Sequence, residues 1–270
     1  MKLLRYALGD SEHIGILNAG EIMRLGVTSM TELMAEDAAF VDTGIIDTLA
    51  DVRILPPLSP GKILAIGRNY AEHARELDNE IPPEPLVFAV LPSAVIGQGD
   101  TIEWESAITQ QVDWEGELAV IIGAEARKVS EADALDFVFG YTIANDVSAR
   151  DLQTRDKQWT RAKGMDTFCP LGPCVATAND IPDPQALQII TTVNGEEKQD
   201  GSTADMIFSV RRLIAHLSRA FTLNPGDIIL TGTPSGVGKA QKPPQFLSAG
   251  SHVSIRIEGI GTLTNHCREM

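Results

Sequence analysis

The 270-residue chain is poor in cysteine, and this limits the sites and compartments that suit it. Its three cysteines, Cys169, Cys174 and Cys267, are few and odd in number. A disulfide framework needs paired cysteines, and a structural zinc site needs four closely spaced ligands. We therefore expect buried free thiols in a reducing compartment, and hence a cytoplasmic location.

The sequence also lacks long apolar runs and an excess of basic residues. No run approaches the ~20 apolar residues of a membrane span, and the opening residues turn polar too soon for a signal peptide. With 22 basic and 37 acidic residues, the formal net charge is −15. Such a chain repels phosphate backbones and anionic lipid, so we expect no nucleic-acid partner and no membrane partner. An anionic substrate would need a bound cation or a well-placed Lys or Arg.

Residues 1–57 differ in their sequence pattern from the rest of the chain and predict a small N-terminal α/β module. It would hold a β-hairpin followed by a helix over residues 31–40, with Thr31 as the helix cap. Proline and glycine cluster at residues 56–61, as they commonly do at a domain border. We therefore assign residues 58–270 to a separate catalytic domain.

Short apolar runs dominate this second part and predict strands. The runs are Ile63–Ile66, Leu86–Val90, Leu118–Ile122, Tyr141–Ala144, Leu187–Val193, Ile228–Leu230 and Val253–Ile257. Helical patterns occur at residues 69–78 and 205–221. Because strands and helices do not alternate regularly, we expect a mainly β (α+β) fold, a mixed sandwich or roll, and not a Rossmann-like sheet.

Three acidic residues lie just before the run that begins at Leu118. Asp113, Glu115 and Glu117 would share one face if the strand extends back to them, because side chains alternate along a strand. Carboxylates stacked in this way repel unless a cation lies among them, and oxygen ligands suit Mg²⁺, Mn²⁺ or Ca²⁺ better than zinc. From the spacing alone, a solvated edge strand whose acids face water explains the pattern equally well.

A further acid, Asp146, follows the apolar run that ends at Ala144. An acid at the end of a strand can complete a three-carboxylate metal site. It can also cap the turn that follows, which by itself explains the residue without a metal.

His73 and Glu76 have the pattern of a catalytic pair. Residues 69–76 predict a helix start in which Asn69 caps and Glu72 reaches back. His73 and Glu76 would then share one helical face and touch. A carboxylate beside an imidazole fixes its tautomer and raises its basicity, which suits a general base, although an exposed ion pair would show the same spacing.

Two other segments offer groups to an anion. Lys163 is a candidate cation, although a lone lysine is commonly just solvated. Residues 231–238 follow a strand and present backbone amides and hydroxyls, as anion-binding loops do. The loop is not a P-loop, because Lys239 has the wrong glycine spacing and Ala240 stands where Ser or Thr is required.

Six strings occur along the chain in a characteristic order. They are GRNYAEH at 67–73, EPLVF at 84–88, DWEGEL at 113–118, NDVSARD at 145–151, KGMDTFCPLGP at 163–173 and TGTPSGVG at 231–238. Together they resemble the fumarylacetoacetate hydrolase family, in its acylpyruvase-like and 2-hydroxyhepta-2,4-diene-1,7-dioate isomerase-like branch. The resemblance implies a mixed β-sandwich roll, a homodimer and a bound Mg²⁺ or Mn²⁺, with Ca²⁺ as a substitute in crystals.

The resemblance also implies roles for individual residues. It assigns the metal to Glu115, Glu117 and Asp146, catalysis to His73, Glu76 and Lys163, and substrate binding to Arg68, Tyr70, Gln153 and Thr233. One departure is at Val90, where the family commonly has the lysine of Phe-x-Lys. The missing positive charge puts in doubt the usual substrate, or the number of carboxylates on it.

These observations predict a Mg- or Mn-dependent hydrolase that cleaves a carbon–carbon bond in a small oxo acid of the acylpyruvate or fumarylpyruvate type. A divalent cation would stabilise the enolate that bond cleavage leaves. Oxaloacetate decarboxylation and isomerisation or tautomerisation are alternatives at the same site, since they need an enolate but no attacking water. A metal-binding protein without catalysis is a third alternative. The presence of both His73 and Glu76 favours hydrolysis.

Overall fold

The computed structural model describes residues 1–35 and 40–270 and confirms a mainly β fold with mixed sheets. The strands are β1 (Lys2–Leu8), β2 (Ser11–Asn18), β3 (Glu21–Leu25), β4 (Asp42–Thr48), β5 (Arg53–Ile54), β6 (Ile63–Gly67), β7 (Leu86–Val90), β8 (Val95–Ile96), β9 (Thr101–Trp104), β10 (Val112–Asp113), β11 (Gly116–Ile122), β12 (Val138–Asn145), β13 (Ser148–Ala149), β14 (Cys169–Thr177), β15 (Gln188–Val193), β16 (Glu196–Ser202), β17 (Ile228–Leu230), β18 (His252–Ile257) and β19 (Gly261–Glu269). The α-helices are α1 (Ala71–Glu76), α2 (Arg150–Asp156), α3 (Thr160–Lys163) and α4 (Val210–Ala220). Short 3₁₀ helices lie at Met30–Met34, Leu49–Asp51, Pro92–Ala94, Ala134–Phe137, Ala178–Asp180, Thr203–Asp205 and Gly238–Ala240.

Two sheets make up most of the fold. The larger sheet has the order β4-β3-β2-β1-β14-β12-β11-β17-β6-β7, with β5 beside β1 and β8 beside β14. The smaller sheet has the order β16-β15-β18-β19-β9, and β10 pairs with β13 as a separate ribbon. Most neighbours are antiparallel, but β17 runs parallel to β6, β14 to β8 and β19 to β9.

Strand β11 is buried along its whole length and divides the hydrophobic core. Leu118 and Val120 belong to a cluster that continues into the smaller sheet through Ile189 and Ile255. Ala119 belongs to a second cluster on the other face of the strand. Burial on both faces explains why this segment reads as a continuous apolar run and not as an alternating one.

The N-terminal strands do not form a sheet of their own. Because β1 pairs antiparallel with β14, β1–β4 extend the larger sheet. In the described part of residues 1–57 the helical structure is 3₁₀ only, and Ser29, not Thr31, caps the first of these turns. The rest of the helix expected over 31–40 includes residues 36–39, which lie outside the described residues. The α/β description of this module is not confirmed, and the domain border stays a prediction, as does the homodimer.

The start of helix α1 differs from the sequence expectation, because Asn69 does not cap it. The Asn69 side chain donates to the carbonyls of Phe208 and Thr231, at 3.0 and 2.7 Å, and accepts from the Phe208 amide at 2.8 Å. These long-range partners compete with capping for the same side-chain atoms. Asn69 therefore fastens the entry of α1 to the chain after β17 and to the entry of α4.

Helix α4 confirms the second helical pattern in a shortened form. Its N-terminus is capped by Ser209, whose side chain accepts from the Arg212 amide at 3.3 Å. The expected apolar stripe is buried and consists of Val210, Leu213, Ile214 and Leu217. Within the described residues, none of the helices is both long and apolar enough to cross a membrane.

A buried polar cluster fastens the N-terminal strands to one another. The Asp47 carboxylate on β4 accepts from the Tyr6 hydroxyl on β1 at 2.5 Å. It also accepts from Arg24 on β3, through Nε at 2.9 Å and Nη2 at 2.8 Å. Burial and the hydrogen bond to Asp47 raise the pKa of Tyr6 to about 12. The hydrogen bonds from Arg24 lower the pKa of Asp47, so this carboxylate is charged at neutral pH.

An Asp47→Asn variant should be less stable than the wild type by about 2 kcal/mol, because Arg24 loses its anionic partner. The folded pKa of Asp47 lies below the ordinary 3.8, so its contribution is complete above that pH and is lost as the pH falls through the folded value. Urea unfolding at neutral pH and at successively lower pH should show the difference between the two proteins shrinking in acid.

The matched control is Arg53→Gln, which removes an exposed ion pair with Asp100. This change should cost less than about 1 kcal/mol, because exposed pairs contribute little. A difference between wild type and Asp47→Asn that stays constant down to acid pH would contradict the charged role given to Asp47.

Candidate metal centre and active site

Three carboxylates meet where β11 and β12 leave the larger sheet. The antiparallel register pairs Gly116 with Asn145, so the neighbouring residues Glu115 and Asp146 lie opposite each other. The Asp146 amide donates to the Glu115 carbonyl at 3.0 Å, which continues the pairing by one step. Glu117 points to the same side, since alternate side chains of a strand share a face. One carboxylate oxygen from each residue lies within 4.8 Å of the other two.

Asp113 does not join this cluster, so the expectation of three stacked acids is wrong at this position. The strand is interrupted after Asp113, which ends the separate strand β10. Its carboxylate accepts from Arg150 Nε at 2.7 Å and from the amides of Gly238 and Lys239, at 2.7 and 3.0 Å. Asp113 therefore holds Arg150 and the loop after β17 in place.

Two buried cations partly compensate the carboxylates. Lys163 Nζ donates to Glu115 at 2.9 Å and to Asp146 at 2.6 Å. It also donates to the Ser148 hydroxyl at 2.8 Å. Arg150 Nη1 lies 2.7 Å from Glu115 Oε1. Both cationic side chains are almost fully buried, so Lys163 is not the solvated lysine that its sequence context allowed.

The three carboxylates differ in how readily they ionise. Burial raises the pKa of Glu117 well above its usual range, and repulsion from Asp146 and Glu115 adds to this. Burial also raises the pKa of Asp146, to about 6, although the charge of Lys163 opposes the shift. For Glu115, burial is outweighed by the charges of Lys163 and Arg150, and the pKa is lowered to about 2. The cluster is therefore short of positive charge.

The donor groups of the cluster fit a hard divalent cation. Asp146 Oδ1 is buried and has no hydrogen-bond partner in the part of the chain that the structure describes. All three ligands are carboxylates, which suits Mg²⁺ or Mn²⁺. The Gly232 amide orients Glu117 by donating to Oε2 at 2.7 Å. Position 232 requires glycine, because its φ is +96° and a Cβ there would lie 2.8 Å from the Cβ of Asn69.

His73 and Glu76 make the contact that their spacing predicted. His73 Nδ1 lies 2.8 Å from Glu76 Oε1, and the other Glu76 oxygen accepts from the Gly236 amide at 2.8 Å. Because β6 and β17 run parallel, the helix after β6 and the loop after β17 emerge at the same edge of the sheet. The His73 side chain is buried, so the pair is not an exposed ion pair.

A cavity of about 230 Å³ brings the two groups of residues together. Of the residues singled out from the sequence, its wall contains Arg68, His73, Glu115, Asp146, Gln153, Lys163 and Thr233. Arg68 has a φ of +57°, in the left-handed region that non-glycine residues seldom adopt. Surrounding structure must impose this conformation, and such backbone strain clusters at functional sites.

Tyr70 and Val90 are not among the residues that line this cavity. Tyr70 forms a backbone bridge with Met206 and is one of the residues lining a separate cavity with Glu72 and Asp205, and its hydroxyl is buried without a hydrogen-bond partner among the described residues. Its assignment to substrate binding stays a prediction. Val90 is buried in the second apolar cluster. The positive charge that the family commonly supplies at this position comes, in this cavity, from other residues.

Arg150 and Gln199 contribute to the site, although no role was predicted for either residue from the sequence. Arg150 lines the cavity, and its Nη2 is buried without a hydrogen-bond partner among the described residues. Gln199 Nε2 donates to the Thr233 hydroxyl at 2.7 Å, and its Oε1 accepts from the Gly116 amide at 2.9 Å. Arg150 lies inside the string NDVSARD, which was a usable signal. Gln199 lies on the polar strand β16, and nothing in its sequence context marks it.

The chain is similar to known proteins of one family. The family model described as fumarylacetoacetate (FAA) hydrolase C-terminal matches residues 62–268. The chain belongs to the fumarylacetoacetate hydrolase family. A relative within it is oxaloacetate tautomerase YisK of Bacillus subtilis, which is 49% identical over 222 residues, covering 81% of this chain and 74% of the relative.

Solved structures of fumarylacetoacetate hydrolase family proteins match the whole chain. A fumarylacetoacetate hydrolase from the psychrophile Exiguobacterium antarcticum is 39% identical, with full coverage of both chains and a TM-score of 0.92. A 2-hydroxyhepta-2,4-diene-1,7-dioate isomerase from Mycobacterium marinum is also 39% identical, covering 100% of this chain and 98% of that one, with a TM-score of 0.86. Members of the family commonly bind a divalent metal, and Glu115, Glu117 and Asp146 could hold one here.

A Lys163→Met variant should lose about 3–5 kcal/mol of stability without metal, because Asp146 would remain buried without its ion-pair partner and Glu115 would keep only Arg150. Saturating Mg²⁺ should recover part of this loss, since a ligand that binds only the folded state stabilises it. The melting temperature should therefore rise more on adding Mg²⁺ in the variant than in the wild type, which thermal unfolding measures.

Lys62→Met is the matched control for this experiment. It breaks the ion pair with Asp227, a buried residue that does not belong to the carboxylate cluster. It should lower stability, but Mg²⁺ should raise its melting temperature no more than that of the wild type. Equal gains in all three proteins would contradict the coupling of Lys163 to the metal, and no gain in any would contradict the metal site.

Proposed function

We propose that this family member hydrolyses a carbon–carbon bond in a small oxo acid of the acylpyruvate or fumarylpyruvate type, with Mg²⁺ or Mn²⁺ bound. The proposal depends mainly on one observation: His73, held by Glu76, lines the same cavity as Glu115 and Asp146. The proposed general base and the proposed cation site would therefore face the same bound molecule. The cavity volume of about 230 Å³ suits a small acid.

Glu115, Glu117 and Asp146 would hold the cation. When bound, the cation supplies Lewis-acid stabilisation of negative charge that develops on an oxygen atom. Lys163 favours the ionised forms of Glu115 and Asp146 through its hydrogen bonds to them. Its ammonium group also places a fixed positive charge on the cavity wall, where little water competes with it.

Glu76 determines which nitrogen of His73 can act as the base. An ionised carboxylate can only accept a hydrogen bond, so Nδ1 carries the proton and Nε2 is left as an acceptor. Glu76 is fixed in this position because the Gly236 amide binds its other oxygen. His73 Nε2 would then take a proton from water as the water adds to the distal carbonyl carbon of the substrate. The adjacent carbon–carbon bond would break as that carbonyl becomes a carboxylic acid, and the enolate left on the other fragment would take the proton back from His73.

Several polar groups on the wall would hold and orient the substrate. Arg150 has the clearest role, because its buried Nη2 lacks a partner among the described residues and a substrate carboxylate would supply one. Arg150 Nη1 in turn holds Gln153 at 3.1 Å. Thr233 is fixed by Gln199 and donates its hydroxyl hydrogen to the Gly116 carbonyl at 2.9 Å.

Keto–enol tautomerisation of oxaloacetate is the second candidate, and the similarity to oxaloacetate tautomerase YisK supports it. Tautomerisation moves a proton between carbon and oxygen and needs no attacking water. It would use the same carboxylate cluster and the same fixed charge of Lys163. The two candidates differ in whether His73 activates water, and this difference can be tested.

A His73→Ala variant should bind Mg²⁺ as the wild type does and hydrolyse its diketo acid roughly 10²–10⁴-fold more slowly. The measurement is an ultraviolet assay in Mg²⁺ with acylpyruvates, fumarylpyruvate and enol-oxaloacetate in parallel. Metal affinity is measured separately by titration calorimetry, so that a loss of metal is not mistaken for a loss of the base.

The control is His216→Ala, on helix α4 and outside the cavity lining, which should keep full activity. Hydrolysis by His73→Ala at the wild-type rate would exclude His73 as the base. If the wild type converts enol-oxaloacetate but leaves every diketo acid intact, tautomerisation replaces hydrolysis as the function.

A further inference from the structure

The cavity wall is rich in positive charge, although the chain has 37 acidic and only 22 basic residues. Four of its lining residues are cationic: Arg68, Arg150, Lys163 and Lys239. Arg150 and Lys163 are already paired with buried carboxylates. Arg68 and Lys239, by contrast, form no ion pair with any acidic group in the part of the chain that the structure describes. Two of the four cations on the wall, Arg68 and Lys239, are therefore left without an acidic partner among the described residues.

The backbone of Lys239 is held firmly, although its side chain reaches solvent. Its amide donates to Asp113 at 3.0 Å, beside the Gly238 amide at 2.7 Å. The same Asp113 carboxylate accepts from Arg150 Nε at 2.7 Å. One buried carboxylate thus sets the positions of Lys239 and Arg150 relative to each other. Burial and the charge of Arg150 lower the pKa of Lys239, which means that they disfavour its charged form. A bound anion would stabilise that charged form.

Lys239 and Arg150 are related through helix α2. Lys239 Nζ lies 3.5 Å from the Thr154 hydroxyl, and Thr154 follows Arg150 by four residues, which corresponds to about 6 Å along the helix axis. Arg150 contacts Glu115 of the carboxylate cluster, whereas Lys239 forms no ion pair with the three carboxylates of that cluster.

We propose that Lys239 is a specificity-determining residue that binds a second, distal carboxylate, so that the preferred substrates are short 2-oxo dicarboxylates. This inference rests on the proposed function, because it takes one end of the substrate to lie at the carboxylate cluster and Arg150. The distal carboxylate would then lie beside Lys239, which lines the same cavity. An acid without the second carboxylate leaves Lys239 unpaired.

The position of Lys239 also bears on the missing lysine at position 90. Val90 is buried among apolar side chains and contributes nothing to the wall. Lys239 provides a cation from a different part of the chain, the loop after β17. Recognition of a second carboxylate on the substrate therefore depends on Lys239 and not on position 90.

The test compares two stable ligands of the Mg²⁺-loaded protein, malate and 2-hydroxybutyrate. Both offer a 2-hydroxy acid to the metal, and they differ only in a distal carboxylate or methyl group. Titration calorimetry should show roughly 10-fold tighter binding of malate by the wild type, as one charged hydrogen bond provides. Lys239→Met should weaken malate binding by roughly 10-fold and leave 2-hydroxybutyrate unchanged.

Two further variants separate charge from structure. Lys239→Arg keeps the charge and should retain most of the preference for malate. Lys242→Met, in the same loop but outside the cavity lining, should behave as the wild type. Higher ionic strength should weaken malate binding more in the wild type than in Lys239→Met, because salt screens an exposed charge.

Each contrary result has a distinct meaning. If the wild type binds both ligands equally, or Lys239→Met weakens both equally, Lys239 does not recognise a distal carboxylate and this inference fails. Hydrolysis of diketo acids, measured separately, would be unaffected by that failure. If neither ligand binds the loaded wild type, the metal-dependent substrate site itself is wrong, and the proposed function and this inference fall together.

Discussion

Three carboxylates buried in one small volume are the constraint on which the rest of this site depends. Glu115, Glu117 and Asp146 are each at most 5% exposed, so their mutual repulsion is poorly screened by water. Two buried cations, Lys163 and Arg150, partly compensate this negative charge, but one oxygen of Asp146 has no hydrogen-bond partner among the described residues. A salt-bridge network that was complete in itself would have no such deficit. The cluster is therefore organised to receive a further positive charge.

The compensation of these charges extends from the cluster to the mouth of the cavity. Arg150 contacts Glu115 on one side and Asp113 on the other, and Asp113 binds two amides of the loop after β17. That loop also carries Gly236, whose amide holds Glu76 and, through it, His73. His73, Arg150 and the carboxylate cluster are thus connected through hydrogen bonds to the loop after β17. Their relative positions are set by directional contacts as well as by packing.

Positive charge is concentrated in the cavity of an otherwise strongly acidic protein. The net charge of −15 disfavours anions at long range, whereas the cavity presents four cations to a ligand that enters it. Hydrolysis and tautomerisation both form an enolate and so make the same demand on the carboxylate cluster. They differ in their need for an activated water, which is the role proposed for His73 with Glu76. Recognition of a second carboxylate is the role proposed for Lys239.

The sequence by itself determined the mainly β class, the family and seven of the residues that line the candidate cavity, because these are recorded in local strings and in the pattern of apolar runs. Even the contact between His73 and Glu76 could be predicted, since it follows from helical spacing. The exclusion of Asp113 from the cluster and the long-range partners of Asn69 could not be predicted, and neither could the absence of Tyr70 from the cavity lining. Only the tertiary structure decided these, because each depends on a break in a strand or on residues far away along the chain. Local spacing cannot specify strand register, burial or which distant charge compensates a carboxylate.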